Sequence, residues 1–127
     1  MSHWKEQSQR DAFRCAGQGL KYAWQEEGHF RFHLCFALLV VILGCFLQLS
    51  VGEWVAICLA IALVLLTELF NTAIEAVVDL ITLEYHPLAK KAKDISAGAV
   101  VVSVCAALVI GALVFLPKLW QLVQHWF

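Results

Sequence analysis

Charge is scarce in this chain: Asp, Glu, Lys and Arg make up only 15% of 127 residues and nearly cancel, leaving a net charge of −1. That balance says little about partners, and no nucleic-acid partner is expected. Paired cysteines are lacking too. The five present, Cys15, Cys35, Cys45, Cys58 and Cys105, are scattered, form no CxxC, and four of them lie in apolar runs. They read as small packing residues rather than as a metal site or disulfide framework. The first thirty residues are mixed and charged, without a basic tip, an apolar run and a small-residue cleavage site. No secretory signal is therefore expected, and the N-terminus reads as mature and cytoplasmic. Repeats, low-complexity stretches, a P-loop and a protein-kinase signature are all missing.

What the chain has in abundance is apolar surface. Hydrophobic residues make up 61% and mean hydropathy is +0.76, more than a soluble domain of this size buries. Lipid must cover the remainder. A spanning helix needs about 20 apolar residues to cross about 30 Å of hydrocarbon. Three stretches approach or exceed that, at 32–49, 54–81 and 95–116. The expectation is an all-α integral-membrane protein, a single membrane domain over 1–127 with three transmembrane helices. Lys5, Arg10, Arg14, Lys21 and Arg31 precede the first stretch, and Lys90, Lys91 and Lys93 separate the second from the third. The first loop has no basic residue, and Lys118 alone follows the third stretch. The positive-inside rule then puts the N-terminus and second loop in the cytoplasm, and the 50–53 turn and C-terminus outside.

Over 9–30 the apolar residues Phe13, Ala16, Leu20, Ala23 and Trp24 alternate at helical spacing with Arg14, Gln18, Lys21 and Gln25. This predicts an amphipathic helix in the membrane interface. His86-Pro87 breaks the second span, because proline disfavours helix in the residue before it. Asp94 then reads as the N-terminal signal of the third span. Trp120, Trp126 and their neighbours predict a second interfacial segment at 118–127.

The second span is unusual. Its unbroken apolar part, 54–66, rises only about 20 Å, too short to cross alone. The helix must continue through Glu68, Asn71, Glu75 and Asp79, spaced three, four and four apart and therefore in one row up a helix face. By helical rise Glu68 lies about 22 Å above Glu53 and Glu75 about 33 Å, just inside and at the cytoplasmic boundary of the hydrocarbon. A carboxylate at a helix centre costs about 2.5–3.5 kcal/mol even on the lenient insertion scale, so such a row marks a functional site. The bland alternative, interhelical hydrogen-bonding glue, fits one Asn but not four polar groups in line. Carboxylates with an amide suit a magnesium ion that bridges phosphates, and the loop lysines suit phosphate oxygens. A desolvated carboxylate beside them is suited to taking a proton from a lipid alcohol. Together these are the parts of phosphoryl transfer.

The run Glu68-Leu-Phe-Asn-Thr-Ala-Ile-Glu-Ala-Val-Val-Asp79, followed by Glu84-Tyr-His-Pro-Leu-Ala-Lys-Lys-Ala-Lys-Asp94, resembles the signature of the bacterial diacylglycerol kinase family. The resemblance covers roughly residues 13–116. It implies a homotrimer of three-span subunits with a surface helix, in the bacterial plasma (inner) membrane, phosphorylating a lipid hydroxyl with ATP and Mg2+. It implies Glu68 as general base, Glu75 with Glu27 as metal ligands, and Asn71, Lys93 and Asp94 in the nucleotide and phosphate site. Active sites shared between neighbouring subunits are implied as well. The entry to the first span, His29-Phe-Arg-Phe-His-Leu34, resembles the undecaprenol branch more than the diacylglycerol branch, which has an acidic residue where His33 aligns. Undecaprenol is the favoured substrate, diacylglycerol the alternative. The Trp-rich tail resembles neither branch.

Read without the resemblance, Glu27 is a solvated charge beside Glu26. His29 and His33 have a spacing that can hold zinc but lack a third ligand, so they read as interface histidines. Arg10, Arg14 and Lys21 read as membrane-surface charges, with nucleotide contact by Arg14 the lesser alternative. Asp79 either anchors the helix end or touches substrate. A small transporter would need polar residues through the whole depth of a helix, and the first and third spans are almost wholly apolar. A non-catalytic scaffold would not need the carboxylate row and the lysines together.

Overall fold

The computed structural model describes residues 9–126 and is helical almost throughout. Lys5, counted among the cytoplasmic charges, and Phe127, the end of the tail, lie outside the described residues. Four helices follow in order: α1 Gln9–Glu26, α2 Gly28–Phe46, α3 Val51–Ile81 and α4 Pro87–Trp126. The last three are long and apolar enough to cross a membrane, as the hydropathy of the chain requires. At 1.5 Å per residue α2 is about 28 Å long, α3 about 46 Å and α4 about 60 Å. Only α2 matches the hydrocarbon thickness, so α3 and α4 carry their ends beyond it.

Two boundaries differ from expectation. Asp94 does not open the third span, because α4 already begins at Pro87. Proline's fixed φ suits a first helical position. The His86 ring Nδ1 accepts from the Leu88 N–H at 3.2 Å and the His86 carbonyl accepts from the Lys90 N–H at 3.0 Å. A histidine side chain thus serves the free N–H groups of the first turn, a task more often given to Ser, Thr or Asp. The tail at 118–127 is likewise no separate segment, since α4 runs through Pro117 to Trp126. Proline removes one backbone hydrogen bond there, and helices in membranes tolerate the loss where neighbouring groups compensate. Lys118 ties the far side of that proline back to the bundle, 3.1 Å from Glu53 and 3.4 Å from the Gln48 carbonyl.

The turn between α2 and α3 is closed by two interlocking caps. The Leu49 N–H reaches the Gly44 carbonyl at 3.2 Å and the Gln48 N–H the Cys45 carbonyl at 3.3 Å, with Gln48 at φ 52. This is the Schellman arrangement with glutamine in the left-handed position that glycine usually takes. Ser50 then caps α3. Its hydroxyl accepts from the Glu53 N–H at 3.4 Å, while its own N–H donates to Glu53 Oε2 at 2.7 Å. Above the turn the Trp54 indole crosses Gly44 so closely that a Cβ there would lie 2.8 Å from the ring. Leu49, Ile57 and Val114 form the buried cluster behind it, flanked by Val40, Trp54 and Phe115.

The closest packing joins α3 to α4, which run antiparallel through the 82–86 loop. Polar pairs mark the register from end to end: Glu53 with Lys118, Thr67 with Ser103 at 2.7 Å, Asn71 with Ser96 at 2.7 Å, and Asp79 with Lys93 at 2.6 Å. Between 17% and 22% of each span is buried within the chain. The remaining apolar surface needs cover from lipid or further protein.

Gly44→Ala is expected to destabilise the protein by about 1–3 kcal/mol, because the added methyl meets an indole locked between two helix caps. Gly17→Ala on α1, where nothing lies within 4 Å, is expected to leave the melting temperature in detergent unchanged or slightly raised. Thermal unfolding of the two variants side by side checks this.

Candidate active site on helix α3

Glu68 is the deepest member of the polar row and the only one that is buried, at 5% exposure. Its Oε1 lies 3.1 Å from Nε2 of His33 on α2. A carboxylate shielded from water needs such a partner to offset the loss of hydration. This is the polar side-chain contact between α2 and α3 among the described residues. It lies at one end of an apolar cavity of about 350 Å³ between α2, α3 and α4, with His33 the single polar side chain in its lining.

One turn higher, Asn71 is held on both sides of its amide. Its Nδ2 donates to Glu75 Oε1 at 3.0 Å, and its Oδ1 accepts from the Ser96 hydroxyl at 2.7 Å. That hydroxyl also sits 2.9 Å from the Lys93 carbonyl, so α4 presents one hydrogen to two acceptors. Only one of the two Glu75 oxygens is taken up by Asn71. Higher again, Lys93 donates to Asp79. By accepting this hydrogen bond, the Asp79 carboxylate holds the Lys93 ammonium above its ordinary pKa, keeping it charged across the physiological range. Asp79 thus joins α3 to α4 through Lys93. Asp94 pairs with Lys90 on the exposed side of α4.

Glu27 stands at the corner between α1 and α2, partly buried, with no capping bond from its side chain. The corner is fixed by Arg31, whose Nη1 donates to the carbonyls of Trp24 at 3.0 Å and Gln25 at 2.9 Å. A cation at a helix C-terminus also complements the helix dipole. Arg31 thus holds α1 against α2 rather than serving only as a cytoplasmic charge. Arg14 lies on the exposed surface of α1. Among the described residues no group of three or more His, Cys, Asp or Glu side chains converges on a point, and Glu27 and Glu75 form no such cluster within one chain. Side by side at this level of α3 stand one carboxylate, Glu75, and one amide, Asn71. That set fits a magnesium ion that takes most of its ligands from phosphate and water.

A sequence model of the family described as Prokaryotic diacylglycerol kinase matches residues 14–115. The chain belongs to this family. It is 48% identical to the undecaprenol kinase of Bacillus subtilis over 108 residues, 85% of this chain and 88% of that protein. It is 39% identical to a diacylglycerol kinase of Synechocystis over 87% of this chain and 64% of that protein. To the diacylglycerol kinase of Escherichia coli K12 it is 38% identical over 72% and 75%. The chain is accordingly a membrane lipid kinase, a phosphotransferase.

Within the row of this kinase the structure joins Asn71 to Glu75 and Asp79 to Lys93. It leaves Glu27, Arg14 and Asp94 apart from them. Two residues escaped the sequence reading. Ser96 was passed over because a lone serine in an apolar helix costs little and signals little. Its relation to Ser103, seven residues on and on the same face, was the available clue. His33 was read as an interface histidine, and nothing in the spacing shows that it faces Glu68 on another helix.

Ser96→Ala is expected to lower kcat/KM for ATP about three- to tenfold, the worth of one hydrogen bond fixing the Asn71 amide. Ser103→Ala, deeper in the bilayer and paired with Thr67, is expected to lower thermal stability without that loss. Steady-state kinetics and melting of both variants separate the two roles.

Proposed function

We propose that this lipid kinase transfers the γ-phosphate of ATP to the hydroxyl of undecaprenol, with Glu68 as general base. The observation that carries the reading is the burial of Glu68 against His33, which lines an apolar cavity, one turn below the Asn71–Glu75–Ser96 network. A lipid alcohol brings an apolar chain and one hydroxyl to such a place. Its O–H proton passes to the Glu68 carboxylate as its oxygen bonds to the γ-phosphorus. The bond from that phosphorus to the bridging oxygen breaks, and ADP leaves with the electron pair. Asn71, Lys93 and Asp94 serve the nucleotide and phosphates, with Arg14 a further contact from α1. Asn71 acts chiefly by setting the rotamer of Glu75, and Lys93 supplies a fixed positive charge at the rim. Glu75 and Glu27 would hold Mg2+, which neutralises phosphate charge when bound.

Undecaprenol is favoured over diacylglycerol by the higher identity to the Bacillus enzyme and by His33 beside Glu68. The large apolar surface left uncovered on every span supports a homotrimer, in which Glu27 of one subunit would serve α3 of another. The basic residues on one side of the spans support a cytoplasmic N-terminus in a bacterial inner membrane, and the exposed Trp120 supports a C-terminal tail at the outer interface.

Purified protein in detergent with ATP and Mg2+ is expected to phosphorylate undecaprenol in preference to diacylglycerol when both are supplied. Labelled product from neither lipid overturns the reading, and preference for diacylglycerol transfers it to the alternative substrate. Glu68→Gln is expected to abolish turnover while oligomer size on gel filtration stays the same.

Glu75→Gln is expected to shift the magnesium titration to higher concentration. An unchanged titration removes Glu75 as a ligand.

A further inference from the structure

Glu68 has two carboxylate oxygens, and the chain itself approaches one of them. The groups nearest to it along α3 are engaged elsewhere. The Thr67 hydroxyl lies 2.9 Å from the Val64 carbonyl and 2.7 Å from Ser103, and the Asn71 amide is committed to Glu75 and Ser96. What reaches Glu68 from outside α3 is Nε2 of His33, 3.1 Å from Oε1. The two side chains are 17% and 7% exposed, so water competes little for the contact, and a polar contact gains strength in such surroundings. The imidazole is itself braced. Phe32 meets it edge-on at 5.4 Å between ring centres, and Phe36 stacks on Phe32 at 6.4 Å.

We propose that His33 is the positioning residue of the catalytic base: its Nε2 holds Glu68 Oε1, leaving Oε2 to receive the proton of the lipid hydroxyl. The assignment rests on the reading of Glu68 as that base. A free carboxylate at the end of a Glu side chain samples rotation about its last bond, and each misaligned rotamer is unproductive for proton abstraction. An imidazole nitrogen on a different helix, 3.1 Å from Oε1, restricts that freedom and also discourages the carboxylate from turning toward the Asn71–Glu75 pair above. Because His33 also lines the apolar cavity, the constraint acts where a hydrocarbon-bound hydroxyl would arrive. The geometry of the base is thereby linked to the docking of α2 on α3.

The test compares His33→Ala, His33→Gln and His33→Asn with Glu68→Gln, measuring initial rates with magnesium ATP and whichever lipid alcohol the unaltered enzyme turns over. Glutamine carries an N–H to nearly the reach of Nε2, whereas asparagine is polar but too short. His33→Ala and His33→Asn are expected to lower kcat about ten- to hundredfold, the range for a hydrogen bond to a charged group. KM for ATP and for lipid should stay within about twofold, since ground-state binding does not use the contact. His33→Gln is expected to recover kcat to within about threefold of the unaltered enzyme. If the alanine variant fails to assemble, the asparagine and glutamine pair carries the same comparison. The proposal is overturned if kcat is unchanged in the short variants. It is equally overturned if the loss appears in KM or melting temperature, with glutamine no better than alanine. Full activity of Glu68→Gln overturns the base assignment itself, a result independent of the His33 series.

Discussion

The structure turns on one constraint: a carboxylate on α3 sits where the bilayer supplies no water, so protein must supply what solvent would. Glu68 meets that demand through His33, and the demand explains an otherwise thin association. The core shared by α2 and α3 is small, built around Leu49, Ile57 and Val114 near the outer turn. At the other end the two helices are joined by the His33–Glu68 contact. A hydrophobic pair at these positions would serve stability as well or better, since a buried polar contact seldom exceeds well-packed apolar groups in net stabilisation. Retaining a carboxylate there points to chemistry rather than to folding.

The same reasoning orders the α3–α4 hairpin. Apolar packing alone specifies register poorly in lipid, where one leucine face resembles another and lipid tails compete on equal terms. Four polar pairs, spread from Glu53–Lys118 to Asp79–Lys93, leave one antiparallel register in which all are satisfied together. Ser96 and Ser103 are small enough to let the helices approach while hydrogen-bonding across the gap. No buried side-chain nitrogen or oxygen among the described residues is left without a partner, consistent with register chosen by hydrogen bonding. The arrangement has a functional corollary. Asn71 and Lys93 are among the residues that fix the register, so the polar row cannot loosen without the hairpin shifting.

The sequence disclosed the parts whose cost is visible one residue at a time. Three long apolar runs required three spans, and carboxylates at 68 and 75 inside one of them announced a site, because each is expensive in lipid wherever it points. Boundaries set by unusual chemistry were hidden. Asp94 looked like the start of α4, whereas the helix starts a full two turns earlier under a cap made by the His86 ring. The third span and the tail at 118–127 are one helix through Pro117, with Lys118 holding the part beyond it. Partners on other helices were hidden for a different reason: the spacing of a helix relates residues on that helix alone. His33 and Ser96 acquire meaning only once α2 and α4 are set against α3. The family resemblance supplied roles for Glu27 and Asp94 that neither periodicity nor the geometry of one chain derives.

The depth of the row answers a difficulty peculiar to joining a lipid with a nucleotide. The alcohol keeps its chain in hydrocarbon, while the triphosphate, with several negative charges, stays with water and cations. Neither can cross to the other at acceptable cost. A helix that rises through the boundary offers groups at both levels on one face. Seven residues separate Glu68 from Glu75, about 10 Å of rise. On the proposed reading, the buried Glu68 would meet the hydroxyl and the half-exposed Glu75 the phosphates. A loop-borne site would need to fold irregular backbone into the lipid and satisfy every exposed amide there. The helix has already satisfied its own backbone, so only side chains need partners, and His33, Ser96 and Lys93 are those partners. Three spanning helices can therefore present groups at both depths, provided that the faces they leave apolar are covered by lipid or by further protein.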